Sequence, residues 1–272
     1  MTYQMISLDM DGTLLDSTFH ISKANLEAIC QAQSLRKTVI VATGRSLSEM
    51  NPYMAQLQHV RYFVLESGAM IYDQQNKEII KQSFFDYDDV EKIIAIARQQ
   101  DCMPHYFTGG YSYSFLDKMK KMERYQMGKL QQFYLENVYR IDDFKKFMLC
   151  YGHQIEKIIL YHQTMDDIKK CYELLKNVHV EKPTVGVSVE ISPLGINKAS
   201  AVKWLCQYLN ISSDEIIAVG DSDNDLEIME MAGLAIAVAN ANDNIKRICD
   251  TVVSDHDHDG VAQAINTYLL FQ

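Results

Sequence analysis

The sequence contains no pair of cysteines spaced C-x-x-C. Its six cysteines, Cys30, Cys102, Cys150, Cys171, Cys206 and Cys249, are scattered. Scatter of this kind argues against a disulfide framework and against a thiolate zinc site, and it fits reduced thiols in the cytoplasm. No apolar run is long enough to span a bilayer, so a membrane partner is not expected. The N-terminus lacks a basic segment followed by an apolar core, so no secretory signal is expected. A basic surplus is missing too: 26 Lys and Arg stand against 36 Asp and Glu, a net charge of −10. That balance argues against a nucleic-acid binder driven by backbone charge. It also means that an anionic substrate needs help from a local cation or from backbone N–H groups. Internal repeats, low-complexity tracts and proline-rich linkers are absent.

What is present points to two domains. A chain of 272 residues exceeds a typical single domain, and a hydrophobic fraction of 47% is ample for buried cores. The organising stretch is Met5-Ile6-Ser7-Leu8-Asp9-Met10-Asp11-Gly12-Thr13-Leu14. A short apolar run, the mark of a buried parallel strand, ends in two acids separated by one residue, and Gly12 lets the backbone turn sharply. In open α/β sheets, ligands bind beyond the carboxyl ends of such strands. Read alone, the stretch fits a metal and phosphate site and fits an acidic turn equally well.

The same arrangement recurs. Thr38–Ala42 is a second apolar strand ending at Thr43-Gly44-Arg45, and Tyr62–Leu65 a third ending at Glu66-Ser67-Gly68. Between the first two, Ser22 is the expected N-cap of a helix reaching Ala32. Strands alternating with helices indicate parallel βαβ units. From about Gln82 the character changes. Asp86–Gln100 has helical spacing, and alternating aromatics flank Gly109-Gly110 as in an antiparallel hairpin. Lys157–His162 and Val185–Ile191 are strand candidates, Met165–Leu175 is a helix candidate, and Asp117–Arg140 is only loosely assignable. The parallel pattern returns with a helix at Lys198–Tyr208, a strand at Glu215–Val219 ending in Gly220-Asp221, and another at Leu234–Ala239. The expected domains are therefore 1–82 with 188–272, an α/β doubly wound parallel-sheet core, and 83–187, an inserted α+β unit. The crossings are placed near Gln82–Phe84 and Gly186–Glu190.

Asp9-Met10-Asp11-Gly12-Thr13-Leu14 resembles the first motif of the haloacid dehalogenase-like (HAD) phosphohydrolases, and the rest of the chain resembles their Cof-type branch with a type IIB cap. Thr43-Gly44-Arg45 is similar to the second motif, Lys198 to the third, and Gly220-Asp221-Ser222-Asp223-Asn224-Asp225 to the fourth, all in order and over nearly the whole chain. The resemblance implies a magnesium-dependent phosphatase acting on small phosphorylated metabolites, such as sugar phosphates or phosphorylated cofactors, as a monomer or weak homo-oligomer. It implies that Asp9 is the nucleophile that forms an aspartyl-phosphate and that Asp11 is the general acid and base. Mg2+ would be held by Asp9, the backbone carbonyl of Asp11 and Asp221, with Asp225 orienting or supplementing these ligands. Met10, Gly12, Thr43, Gly44, Arg45, Lys198 and Asn224 make up the implied phosphate and substrate set. Thr43 would offer its hydroxyl and backbone N–H, and Asn224 would touch the phosphate or its water shell. Arg45 fits substrate contact and also a solvated helix start. Lys198 opens a helix, where the dipole disfavours a cation unless an anion is near. Asp223 is expected to cap a helix.

Other features are set aside. Asp255-His256-Asp257-His258-Asp259 is expected to be a solvated loop, and Lys118, Lys120, Lys121 and Arg124 a solvated face. Tyr111, Tyr113 and Phe115 are expected to pack on one face of the inserted sheet. Two departures from the family stand out: Ser67-Gly68-Ala69 replaces Asn-Gly-Ala, and Val238-Ala239-Asn240-Ala241 replaces Met-Gly-Asn-Ala. The rival readings are a phosphomutase of the same superfamily and a non-catalytic phosphate-sensing regulator.

Overall fold

A computed structural model describes residues 2–181, 184–185 and 188–270. The first part of the chain forms strands β1 (Met5–Leu8), β2 (Thr38–Ala42), β3 (Tyr62–Leu65), β4 (Met70–Asp73) and β5 (Glu78–Gln82), with helices α1 (Lys23–Ser34) and α2 (Leu47–Met54). The middle forms β6 (Met103–Thr108), β7 (Tyr111–Ser114), β8 (Tyr139–Arg140), β9 (Lys157–Tyr161), β10 (Val180–Glu181), β11 (Thr184–Val185) and β12 (Ser188–Pro193). Its helices are α3 (Tyr87–Gln99), α4 (Leu116–Met119), α5 (Gln131–Asn137), α6 (Phe144–Tyr151) and α7 (Met165–Leu174). The last part forms β13 (Ile216–Gly220), β14 (Leu234–Val238) and β15 (Thr251–Val253), with α8 (Lys198–Leu209), α9 (Leu226–Met231), α10 (Asp243–Ile248) and α11 (Gly260–Ala264).

The chain divides into two compact units: Met1–Gly44, Pro52–Lys81 and Asn197–Gln272 in one, Arg45–Asn51 and Gln82–Ile196 in the other. Residues 186 and 187, where the second crossing was expected to begin, lie outside the described residues.

The first unit holds a sheet in the order β15-β14-β13-β1-β2-β3-β4-β5. From β15 to β3 every neighbouring pair is parallel, and β4 joins antiparallel to β3. Successive strands run outward from β1 on one side as β2 and β3, and on the other as β13, β14 and β15. The order reverses at β1, which opens the crevice where open α/β sheets bind ligands. Because parallel crossovers are right-handed, opposite directions of travel put their helices on opposite faces. The helices do fall into two contacting groups, α1 with α11 and α8 with α9. Met5, Ile6 and Leu8 are fully buried, as a central strand covered on both faces requires. Ser22 caps α1, its side chain accepting from the Asn25 N–H.

The second unit holds a mainly antiparallel sheet in the order β10-β12-β9-β6-β7-β8, with β11 paired to β12. Alternation along β9 divides its side chains between two apolar clusters. Ile158 and Leu160 pack with residues of α3, α6 and α7. Ile159 and Tyr161 pack with Met119, Met122, Tyr125 and Tyr134, from the segment assigned only loosely in the sequence. The expected strand Val185–Ile191 is two strands, because Val185 in β11 pairs antiparallel with Ser188 in β12. Tyr113 and Phe115 pack against the first cluster, but Tyr111 is 47% exposed. Among the described residues no helix is long and apolar enough to cross a membrane, and all six cysteines are free.

Candidate active site

The site lies in the first unit, at the carboxyl edge of the parallel strands. Leu8 is level with Val41 in β2 and Val219 in β13. Asp9 extends that register by donating its N–H to the Val219 carbonyl at 3.0 Å. Asp221 follows the last residue of β13, so the acids come from adjacent strand ends.

After Asp9 the backbone makes a tight turn in which Gly12 adopts φ +77°. A Cβ at Gly12 would come within 2.7 Å of an Asp221 carboxylate oxygen, so only glycine lets that acid lie against the turn. Thr13 donates its hydroxyl to Asp221 Oδ1 at 3.3 Å. Asn240 donates its side-chain amide to the Gly12 carbonyl at 2.7 Å and accepts from the His256 N–H at 3.0 Å. Asp11 is exposed, and the Met10 side chain is buried in the core. The Met10 carbonyl accepts from Leu15, which closes the turn.

Lys198 is the first residue of α8, whose N-cap Asn197 forms a capping box with Ser200. Its buried ammonium donates to Asp9 Oδ1 at 2.5 Å and to Asp225 Oδ1 at 2.7 Å, with Asn224 Oδ1 at 3.4 Å. The anions that the helix dipole calls for are therefore in place. Asp225 is engaged on both oxygens, since Oδ2 accepts from the Asp221 N–H at 3.2 Å and the Ser222 N–H at 3.4 Å. Asp223 is turned to other work, accepting from the side-chain amides of Asn242 and Asn244.

Asp9, Asp221 and Asp225 can each offer one oxygen within 4.8 Å of the others. One ammonium cannot balance three crowded carboxylates. Burial holds the Asp9 carboxyl well above its usual range, Asp225 and Asp221 push it further, and Lys198 opposes them without prevailing. Burial and Asp225 likewise raise Asp221 to about 6. Lys198 itself is held firmly protonated, because Asp225 and Asp9 outweigh the cost of its burial. A set of hard oxygen donors with surplus negative charge fits a small divalent cation such as magnesium.

Thr43 and Gly44 close β2 in the same unit. The Thr43 N–H donates to the Val64 carbonyl at 2.8 Å, and its carbonyl accepts from the Ser67 N–H at 3.0 Å. The sheet ladder therefore claims the Thr43 N–H expected for phosphate. Arg45 packs in the second unit, its guanidinium 4.8 Å over the Phe133 ring. Thr13 and Asn240 were not identified as site residues from the sequence, although both stand inside stretches compared there with the family, Asp9–Leu14 and Val238–Ala241.

The family described as haloacid dehalogenase-like hydrolase matches residues 6–265. A 5-amino-6-(5-phospho-D-ribitylamino)uracil phosphatase of Bacillus subtilis is 27% identical over 267 residues, covering 98% of this chain and 96% of its own. An HMP-PP phosphatase of Serratia proteamaculans is 23% identical over 90% of this chain and 87% of its own. A solved haloacid dehalogenase-like hydrolase of B. subtilis has a TM-score of 0.87 at 24% identity, covering 97% of this chain and 99% of its own. A HAD subclass IIB sugar phosphatase has a TM-score of 0.81 at 17% identity, covering 97% and 98%. At these identities the solved structures speak for the fold alone.

Proposed function

Because the chain belongs to the haloacid dehalogenase-like hydrolases, we propose that it is a magnesium-dependent phosphomonoesterase for small phosphorylated metabolites. The observation that carries this reading is the Lys198 ammonium between Asp9 and Asp225 at 2.5 and 2.7 Å, beside Asp221 on the adjoining strand end. The phosphatases among the relatives support it.

In this mechanism an Asp9 oxygen attacks phosphorus, forming an O–P bond as the ester P–O bond breaks. Asp11, exposed and so in exchange with water, gives its proton to the leaving oxygen. It then takes a proton from the water that attacks the aspartyl-phosphate, which releases phosphate and restores Asp9. Lys198 favours the ionised form of Asp9 against burial and the neighbouring acids, and it offsets charge on the equatorial oxygens, the main electrostatic demand of phosphoryl transfer. Asp225, engaged by Lys198 and by two backbone N–H groups, orients the lysine and the loop that carries Asp221. Asn224, the Thr43 hydroxyl and the backbone N–H groups of Met10, Gly12 and Gly44 complete the phosphate set within the first unit. Asp9, Asp221 and the Asp11 carbonyl would hold magnesium, which supplies further positive charge to the phosphoryl group. A net charge of −10 and free cysteines support a small-molecule substrate and a reducing, cytoplasmic setting.

The test is phosphate release from 4-nitrophenyl phosphate, with and without magnesium, by wild type and Asp9→Asn. Multiple turnovers that require magnesium and disappear in Asp9→Asn are expected. Turnover surviving in Asp9→Asn overturns the nucleophile assignment. An inactive wild type, on this ester and on a panel of phosphorylated metabolites, overturns the activity.

A further inference from the structure

We propose that Asn240 is a positioning residue for this reaction: it fixes the peptide group between Gly12 and Thr13, and thereby the direction in which Asp11 meets the leaving oxygen. The inference rests on the proposed phosphatase reading and on the proton transfer assigned there to Asp11.

The turn that carries Asp11 has a backbone that its own sterics do not hold. Asp11 has φ −80° and ψ +122°, and Gly12 then has φ +77° and ψ +1°. Glycine takes either sign of φ with nearly equal ease, so the peptide groups on both sides of Gly12 need an outside partner to stay put. The Gly12 carbonyl has one, accepting from the Asn240 side-chain amide at 2.7 Å. Asn240 lies two residues past β14 and is exposed, so core packing does not dictate its rotamer. Its direction comes from 255–259, the acidic, histidine-bearing stretch expected to be a solvated loop. Asn240 Oδ1 accepts from the His256 N–H at 3.0 Å. An amide that must accept from an N–H at one end and donate to a carbonyl at the other has a single orientation.

The same loop takes hold of the chain where it leaves the turn, since Asp257 Oδ1 accepts from the Ser17 N–H at 2.8 Å. Two residues beyond Asn240, the Asn242 N–H donates to the Asp221 carbonyl at 3.0 Å. Asn240 thus belongs to a scaffold that ties the turn after β1 to the turn after β13, all within the first unit. Anchoring of the loop does not by itself account for an asparagine here. The loop is closed by other bonds: the Asp255 carbonyl accepts from the His258 and Gly260 N–H groups, and the Ser254 N–H donates to the Gln263 side chain. Any acceptor would satisfy the His256 N–H. The donor half of the amide is directed at Gly12, the residue next to Asp11. A general acid works only within hydrogen-bond reach of the oxygen it protonates. A small rotation of its backbone is therefore felt in proton transfer before it is felt in binding.

Steady-state kinetics on the full chain with two esters test this. 4-Nitrophenyl phosphate releases a stabilised phenoxide that needs little help from an acid, whereas glycerol 2-phosphate releases an alkoxide that must be protonated. If the wild type does not take glycerol 2-phosphate, the best alkyl phosphate of the metabolite panel replaces it. Asn240→Asp keeps the shape and the acceptor for His256, but it loses the donor and sets a carboxylate against the Gly12 carbonyl. It is expected to lower kcat/KM for the alkyl ester about tenfold more than for 4-nitrophenyl phosphate. Asn240→Ala, which also lacks the donor, is expected to show the same bias. Equal losses on the two esters, no loss at all, or a bias in Asn240→Ala that is missing from Asn240→Asp overturns the proposal. Asp11→Asn is the reference and is expected to show the largest bias. An active wild type whose Asp11→Asn variant shows no bias removes the acid role of Asp11, and the role of Asn240 with it. A wild type inactive on both esters and on the panel sinks the phosphatase reading itself.

Discussion

Gly68 lies against the carbonyl of Asn197, so close that a Cβ on Gly68 would stand 2.1 Å from that oxygen. Gly68 also has φ +102°, a conformation in which side chains are strained. Asn197 is the N-cap of α8, and the next residue is Lys198. The glycine after the third strand therefore sets how near the lysine-bearing helix comes to the acids. Gly68→Ala is expected to push the start of α8 outward. It should cost more than about 1 kcal/mol of stability and reduce kcat for 4-nitrophenyl phosphate at least about tenfold. A variant that melts like wild type and turns over at the wild-type rate would show that the contact does not place Lys198.

Ser67, just before it, has φ +56° and stands where the family usually has asparagine. The left-handed conformation costs an ordinary residue about 1–2 kcal/mol, and asparagine tolerates it better. Ser67→Asn is accordingly expected to stabilise the protein by about 0.5 kcal/mol, a rise of about 1–2 °C in Tm. Calorimetry decides the matter, since an unchanged or lower Tm would mean that the serine hydroxyl outweighs the strain.

Acid sensitivity should trace in part to His105. Burial, helped by the Lys157 charge, pushes its pKa down to about 3. The folded protein keeps it neutral while the unfolded chain takes up a proton near pH 6.5. Stability therefore falls as pH drops from about 6.5 towards 3, at about 1.4 kcal/mol per unit from this group. Glu49 shifts the other way, because its raised pKa favours the folded state once pH falls through that value. Urea unfolding at pH 7.5 and 5.5 should show a loss in wild type that is smaller in His105→Gln. Parallel losses in the two proteins would exonerate the histidine.

The strand ends were legible because parallel strands buried on both faces must be apolar throughout. Each polar residue that ends such a run, Asp9, Thr43 or Asp221, marks the same edge of the sheet. The buried polar side of the second unit was not legible. In β7 the alternation favours Tyr111 and Tyr113 as the packed face, yet Ser112 and Ser114 are the residues with no exposure. Their burial depends on acceptors outside β7, Glu49 for Ser112 and the Pro104 carbonyl on the neighbouring strand β6 for Ser114. Local periodicity carries no trace of such partners. The Thr43 N–H was misjudged for a related reason, since a strand ladder claims backbone donors before a ligand can. The segment 117–140 resisted assignment because its short helices are too brief to show a period.

The reversal of strand order at β1 also has a consequence in time. Asp9 and Lys198 are 189 residues apart in the chain, and Thr13 and Asp221 are 208 apart. At a synthesis rate of about 5–20 residues per second, β1 leaves the ribosome roughly ten to forty seconds before its neighbour β13 exists. Throughout that interval the nascent strand has one open hydrogen-bonding edge and an apolar surface with nothing to cover it. The acids at its end are acquired first and become a site last.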